Sequence, residues 1–336
     1  MEKNIRYLAI FLSAQVLLAI VLSSTKVDIA AVQSDTPLVK FEKDQLDRIV
    51  IERGENEKVV LKKENKRWIM PDHYNFVVDV GKIEGTLYKL KSLKKGIPVT
   101  TTAGALKRFK VSDDTYERRI TFFVNNNEVT KLFLGSSPGI RQIHARASDD
   151  DAVYNVKFAA HDLPLNPNDW EDKSVLNIPE NEIEKIIVSG LTLYKKEANK
   201  NKDDKIKTAD KADTTPPIWH VDGLNDKEIL QSGEVETLTG KIAHLRIDKV
   251  LGIKPHDKYG LKTPKLTIKL AQKEKGEIIY QIGEHDEGEF YIVKTSTRPE
   301  YFKVTKYLGE ALVNGASRDK LIKTNKDETE DNSTKQ

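Results

Sequence analysis

An internal repeat with a period near 150 residues constrains this chain more than any other feature. Trp68 in "RWIM" is answered by Trp219 in "PIWHV", 151 positions on. Phe109 and Tyr259 stand 150 apart, while Gly135 and Gly283, like Tyr154 and Phe302, stand 148 apart. Ile186-Ile187-Val188 takes the place of Ile49-Val50-Ile51, and "SRDKLI" echoes "WEDKSVL". Matches that keep one order at nearly one spacing argue for a duplicated domain. Solenoid repeats have periods of about 20–50 residues, so a tandem pair is the expected arrangement.

Within each copy, short apolar runs are separated by turn residues, as in "RRITFFV", "VTKLFLG", "RQIHARA" and "AVYNVKF". Connections this short can join only antiparallel strands. One helix is predicted per copy. Val80, Ile83, Leu87, Leu90 and Leu93 carry the first, with Gly96 as its stop; Val235, Leu238, Ile242, Leu245 and Val250 carry the second, with Gly252 as its stop. The expected fold class is therefore α+β: modules over residues 38–176 and 177–323, each an antiparallel sheet with one packed amphipathic helix. Trp68 and Trp219 are expected to anchor the cores. Residues 195–217 and the tail 324–336 are almost devoid of apolar side chains and are expected to be disordered.

The N-terminus suggests a compartment. Lys3 and Arg6 precede an uncharged run, "YLAIFLSAQVLLAIVL", residues 7–22. A membrane-spanning helix needs about 20 apolar residues, with a lower limit near 17. A secretory apolar region is about 7–15 residues long and precedes a small-residue cleavage site, which "STKVDIAAVQ" does not offer cleanly. Residues 1–25 are therefore expected to be a transmembrane signal-anchor in the inner membrane. Basic residues ahead of it would hold the N-terminus in the cytoplasm and the bulk of the chain outside.

Few patterns point to chemistry. The 55 basic and 52 acidic residues nearly cancel, which argues against a nucleic-acid partner. With no cysteine, disulfides, thiolate metal sites and cysteine nucleophiles are excluded. The histidines at 73, 144, 161, 220, 244, 256 and 285 never adopt His-Glu-x-x-His spacing. The acidic stretches "GEHDEGE" (283–289) and "SDDDA" (148–152) lack the ligand spacing of a calcium loop and read as charged turns. "GSSPG", residues 135–139, matches Gly-x-Ser-x-Gly by letters. Pro138, however, removes the N–H that should follow a nucleophilic Ser137, and a strand rather than a helix comes next. Its counterpart "GEHDEG" keeps glycines at 283 and 288 and loses the serines, which points to a hairpin turn needing φ freedom. No catalytic, cofactor-binding or metal-ligating residue is assigned, and no cofactor is expected.

The chain resembles the DUF4340 family. The likeness rests on "RWIM" followed by "VVDVGKIEGTLYKLKSLKKG", then "FKV", "KLFLGSSPGIRQIHARASDDDAVYNV" and "NDWEDKSVL", in that order. The resemblance implies a membrane-anchored, duplicated extracytoplasmic α+β protein with no established activity. It further implies a non-enzymatic accessory or scaffold subunit beside an ABC-type transporter of the gliding-motility kind. The alternative is an envelope glycan- or peptidoglycan-binding module using Tyr291, Tyr301, Phe302 and Tyr307; an uncharacterised hydrolase is a third, less favoured reading.

Overall fold

The computed structural model describes residues 7, 11–12, 14–17, 35–196 and 218–324. The chain divides into two compact units: Met1–Asp72 with Val80–Asp169, and His73–Asp79 with Trp170–Gln336. This differs from a cut between residues 176 and 177, because a short piece from inside the first repeat is counted with the second unit.

The first unit contains β1 (Arg48–Arg53), β2 (Glu57–Glu64) and β3 (Arg67–Met70). The chain then passes through β4 (Phe76–Val77), which belongs to the second unit, and returns as α1 (Val80–Lys91). β5 (Pro98–Thr100), α2 (Ala103–Arg108), β6 (Arg118–Val124), β7 (Asn127–Leu134), β8 (Ile143–Ala147) and β9 (Val153–Val156) complete it. Its sheet runs β3-β2-β1-β6-β7-β8-β9-β5. The β6–β7 turn places Asn125 and Asn126 both at positive φ, the twist-matched two-residue hairpin connection. Alternate residues Ile49, Ile51, Ile120, Phe122, Leu132 and Leu134 are buried, as are Ile83, Leu87 and Leu90 on α1.

The second unit contains β10 (Ile183–Val188), β11 (Leu191–Lys196), β12 (Ile218–Val221), β13 (Glu228–Leu230) and α3 (Ser232–Ala243). After these come β14 (Lys249–Gly252), β15 (Leu266–Gln272), β16 (Gly276–Glu284), β17 (Phe290–Thr295) and β18 (Tyr301–Thr305). α4 (Lys306–Gly315), α5 (Arg318–Leu321) and β19 (Ile322–Thr324) close it. Its main sheet runs β12-β11-β10-β15-β16-β17-β18-β14, the first unit's order strand for strand. Individual hydrogen bonds recur as well. The Lys131 N–H donates to Ser148 Oγ at 3.0 Å and the Ser148 N–H to the Lys131 carbonyl at 2.9 Å. Ile279 and Ser296 repeat that pair at 3.0 and 2.9 Å.

Several sequence expectations are corrected. Among the described residues, no helix is long and apolar enough to cross a membrane. The described residues of the 7–22 run, Tyr7, Phe11–Leu12 and Ala14–Leu17, are helical, and the remainder of that run lies outside the described residues. The transmembrane signal-anchor over 1–25, the inner-membrane placement and the membrane contact through 7–22 are therefore not supported. The accessory role beside an ABC-type transporter, which the resemblance implied and which that anchor would have placed at the membrane, falls with it. The aromatic row of the glycan-binding alternative does not form either: Tyr291 and Phe302 are 6% and 0% exposed. The expected disordered segments, 197–217 of the insert and 325–336 of the tail, fall outside the described residues.

Helix limits also differ. Val80 is exposed, and α3 ends at Ala243, so Leu245 lies past it and Val250 and Gly252 belong to β14. The second unit carries α4 in addition to α3, against the expected single helix.

Tyr280, on β16, is 2% exposed, and burial pushes its phenol up to about 12. An acid whose folded pKa exceeds its unfolded value of about 10 stabilises the fold in its protonated form. That contribution is complete below about pH 10 and is lost as pH rises toward 12, a loss of roughly 2–3 kcal/mol. Tyr280→Phe is expected to remove this part of the alkaline unfolding curve; an unchanged alkaline limb in urea titrations would contradict the assignment.

Candidate functional site

The stretch 135–143, singled out by its serines, forms the wall of a groove in the first unit. Gly135 is a glycine for a reason other than φ. The carbonyls of Phe109 and Lys110 approach it so closely that a Cβ there would overlap the Phe109 oxygen and sit 2.7 Å from that of Lys110. Gly283 has the same relation to Tyr259 and Gly260, with a Cβ 2.9 Å from the Gly260 carbonyl carbon. The expected need for φ freedom holds only at Gly288, at φ +67.

The serines serve the loop itself. Ser137 Oγ is 2.7 Å from both the Gly139 and Gln142 carbonyls. Ser136 Oγ lies 3.3 Å from the Phe109 carbonyl and 3.1 Å from His144 Nδ1. That imidazole nitrogen is also 2.8 Å from the Ser136 carbonyl, which can only accept. Nδ1 therefore carries the proton and cannot take one from the serine, so the pair is not an activated nucleophile.

The other acidic and histidine-bearing stretches are engaged structurally. Asp150 accepts from Lys95 Nζ at 2.6 Å and Tyr154 Oη at 2.9 Å. In the 283–289 turn, Glu284 pairs with Lys265 and Glu287 with Lys258. Asp222 accepts from Tyr194 Oη at 2.8 Å, and His220 stacks on the Tyr194 ring. Among the described residues no group of three or more His, Cys, Asp or Glu is placed to hold a metal.

The groove lies between the end of α1 and strands β8 and β9. It comprises adjoining cavities of about 790, 570 and 400 Å³ that all include Gln142. Ile143, Phe158 and Ala159 form apolar floor. Arg53, Arg118, Arg141, Lys89 and Lys157 supply positive charge. Arg53 is held by Glu57 and Lys89 by Asp162. Glu117, the other carboxylate of the wall, is paired with Lys110. Among the described residues, Arg118 donates to the carbonyls of Glu117, at 2.7 Å, and Leu163, at 3.3 Å. Burial, and then the charge of Arg53, pull its guanidinium below the usual arginine range. Arg141 and Lys157 have no carboxylate within ion-pair distance among the described residues. Arg141 sits at φ +55 beside Ile140, which is 93% exposed.

Sequence reading missed this groove because its cations come from separate segments that only the folded sheet brings together. One signal was available. The segment after β9, "KFAAHDLPLNPND", contains Pro164 and Pro167, whereas the segment after β18, "KYLGEALVNG", contains no proline and forms α4.

No curated protein and no solved structure matches the chain. The profile of DUF4340, described as a domain of unknown function, matches residues 68–264. That match starts at the tryptophan of β3, runs through the groove-forming strands and ends ahead of β15. Since it spans more than half of the chain, the chain belongs to the DUF4340 family.

Proposed function

We propose that the protein is a non-enzymatic binding protein whose first unit receives an anionic ligand in this groove. The observation that carries the reading is the set of three cations, Arg118, Arg141 and Lys157, that line adjoining cavities and, among the described residues, form no ion pair with a carboxylate. The groove's own acids, Asp162 and Glu117, are already bound to Lys89 and Lys110. An incoming carboxylate or phosphate would therefore meet donors and no free negative charge. The blocked Ser136–His144 pair supports binding without turnover.

Calorimetric titration with a short oligoglutamate tests the reading. A charge-assisted hydrogen bond contributes about 1.5–3 kcal/mol, so Arg141→Gln with Lys157→Gln is expected to weaken binding by more than about tenfold. Among the described residues neither side chain has a hydrogen-bonded partner to strand, so the fold should be unaffected. Equal affinity in the wild type and the double variant would sink the proposal.

A further inference from the structure

The groove cations are peculiar to the first copy. At the 148-residue offset, Arg118, Arg141 and Lys157 are answered by Leu266, Glu289 and Thr305. An amide pair lining the same cavities differs as well. Asn155 Nδ2 donates to Gln142 Oε1 at 3.0 Å. The counterparts of Gln142 and Asn155 are Phe290 and Lys303. There the ammonium lies over the ring at 4.9 Å, and the ring stacks on His285. The second copy closes this place with a packed contact, and the first leaves two amides on the groove wall.

The valences those amides leave over are specific. Among the described residues, the Gln142 NH2 and the Asn155 Oδ1 make no hydrogen bond, so the pair offers both a donor and an acceptor. An ionised phosphate or carboxylate can use the donor and has no use for the acceptor. A peptide unit, with one N–H and one C=O, uses both. The floor adds no apolar contact, since Ile143 and Phe158 are buried and Leu163 is fully buried. The rim does: Ile140 lines both larger cavities and is almost wholly exposed. Its turn is held from both ends. The Gln142 N–H donates to the Gly139 carbonyl at 3.2 Å, and Ser137 Oγ lies 2.7 Å from the carbonyls of both residues.

We infer that the groove takes an acidic peptide segment in extended form. Its carboxylates meet Arg118, Arg141 and Lys157, one main-chain peptide unit meets the Gln142–Asn155 pair, and an apolar side chain packs against Ile140. This rests on the reading of the groove as an anion site and names its ligand. A helical guest does not fit, because its main-chain groups are spent on its own i to i−4 hydrogen bonds. A simple phosphate would leave Asn155 Oδ1 and Ile140 unused.

The test uses the full chain and three probes. Two are followed by fluorescence anisotropy: the short oligoglutamate, and the same peptide with one central glutamate replaced by leucine. The third, inorganic tripolyphosphate, is followed by calorimetry. The leucine peptide is expected to bind about fivefold more tightly than oligoglutamate, the gain from partly burying a leucine. Ile140→Ser, at an exposed position, should erase that gain and leave oligoglutamate unchanged. Gln142→Ala with Asn155→Ala removes two side chains that pair with each other, so neither is stranded. It should weaken both peptides by at least about fivefold and leave tripolyphosphate unchanged. If either variant leaves the leucine peptide's affinity unchanged, or if tripolyphosphate alone binds, the peptide reading is overturned. The anion site then stands, provided that Arg141→Gln with Lys157→Gln weakens the probe that does bind. If no probe binds the wild type, both readings fall.

Discussion

Gly135→Ala is expected to destabilise the first unit by about 3 kcal/mol, near the upper end of what overpacking costs. The atoms a methyl would meet belong to the backbone: the carbonyls of Phe109 and Lys110, together with Val111 Cγ1 at 2.8 Å. A flexible side chain could swing aside, whereas these are backbone atoms and move only with the chain. The Phe109 carbonyl accepts from the Ser136 N–H at 2.9 Å, and Val111 is fully buried beside Phe133. Relieving the clash therefore means separating the 109–111 segment from β7. Gly139→Ala is the internal control, since nothing lies within 4 Å of a Cβ there. It should be neutral, or slightly stabilising through lower chain entropy in the unfolded state. Urea unfolding of the two variants side by side checks this. A Gly135→Ala midpoint matching that of Gly139→Ala would show the approach to be looser than described. Gly283→Ala should repeat the loss in the second unit, against Tyr259 and Gly260.

That shared constraint explains why the repeat was legible. Phe109 with Gly135, and Tyr259 with Gly283, are conspicuous in sequence because one backbone crossing requires a glycine wherever it is built. The alternating strands were equally readable, since half-buried sheets demand a two-residue period. Helix limits were not. Leu245 continues the three- and four-residue spacing of α3 by coincidence, Val250 follows five residues later, and both are buried outside the helix. α4 was hidden because the apolar residues pass from Tyr301, Phe302 and Val304 on a strand to Leu308 and Leu312 on a helix without a glycine or proline at Thr305. The candidate groove left no local trace, because charge on a sheet rim depends on which strands become neighbours. The prolines at 164 and 167 mark the place where the first copy has two short 3-10 turns and the second has α4.

A fragment cut at the repeat boundary, residues 177–323, is expected not to fold, because the second unit includes His73–Asp79 and Trp170–Leu176. Phe76 is fully buried, its ring 6.1 Å from that of Phe302, and Arg298 lies over both rings at 5.7 and 5.9 Å. Glu171, 1% exposed, ties the piece in further. It accepts from the Val250 N–H at 3.1 and 3.2 Å, pairs with Lys173 at 2.7 Å and lies 2.7 Å from His73 Nε2. The fragment would uncover Phe302 and strand the Val250 N–H together. Losing a buried phenylalanine alone costs about 3–5 kcal/mol, and a buried donor left unpaired about 1–3 more. Against a total stability of about 5–15 kcal/mol, that is enough to unfold the unit. Phe76→Ala in the full chain carries the same logic in milder form. Hydrogen exchange should show protection lost in β17 and β18 while β6 and β7 keep theirs. Residues 170–324 with 73–79 joined through a flexible linker should recover a cooperative thermal transition that 177–323 lacks. Should 177–323 alone melt cooperatively at the same temperature as the linked fragment, the inserted segment would be a bystander and the contact-defined unit would not be the folding unit.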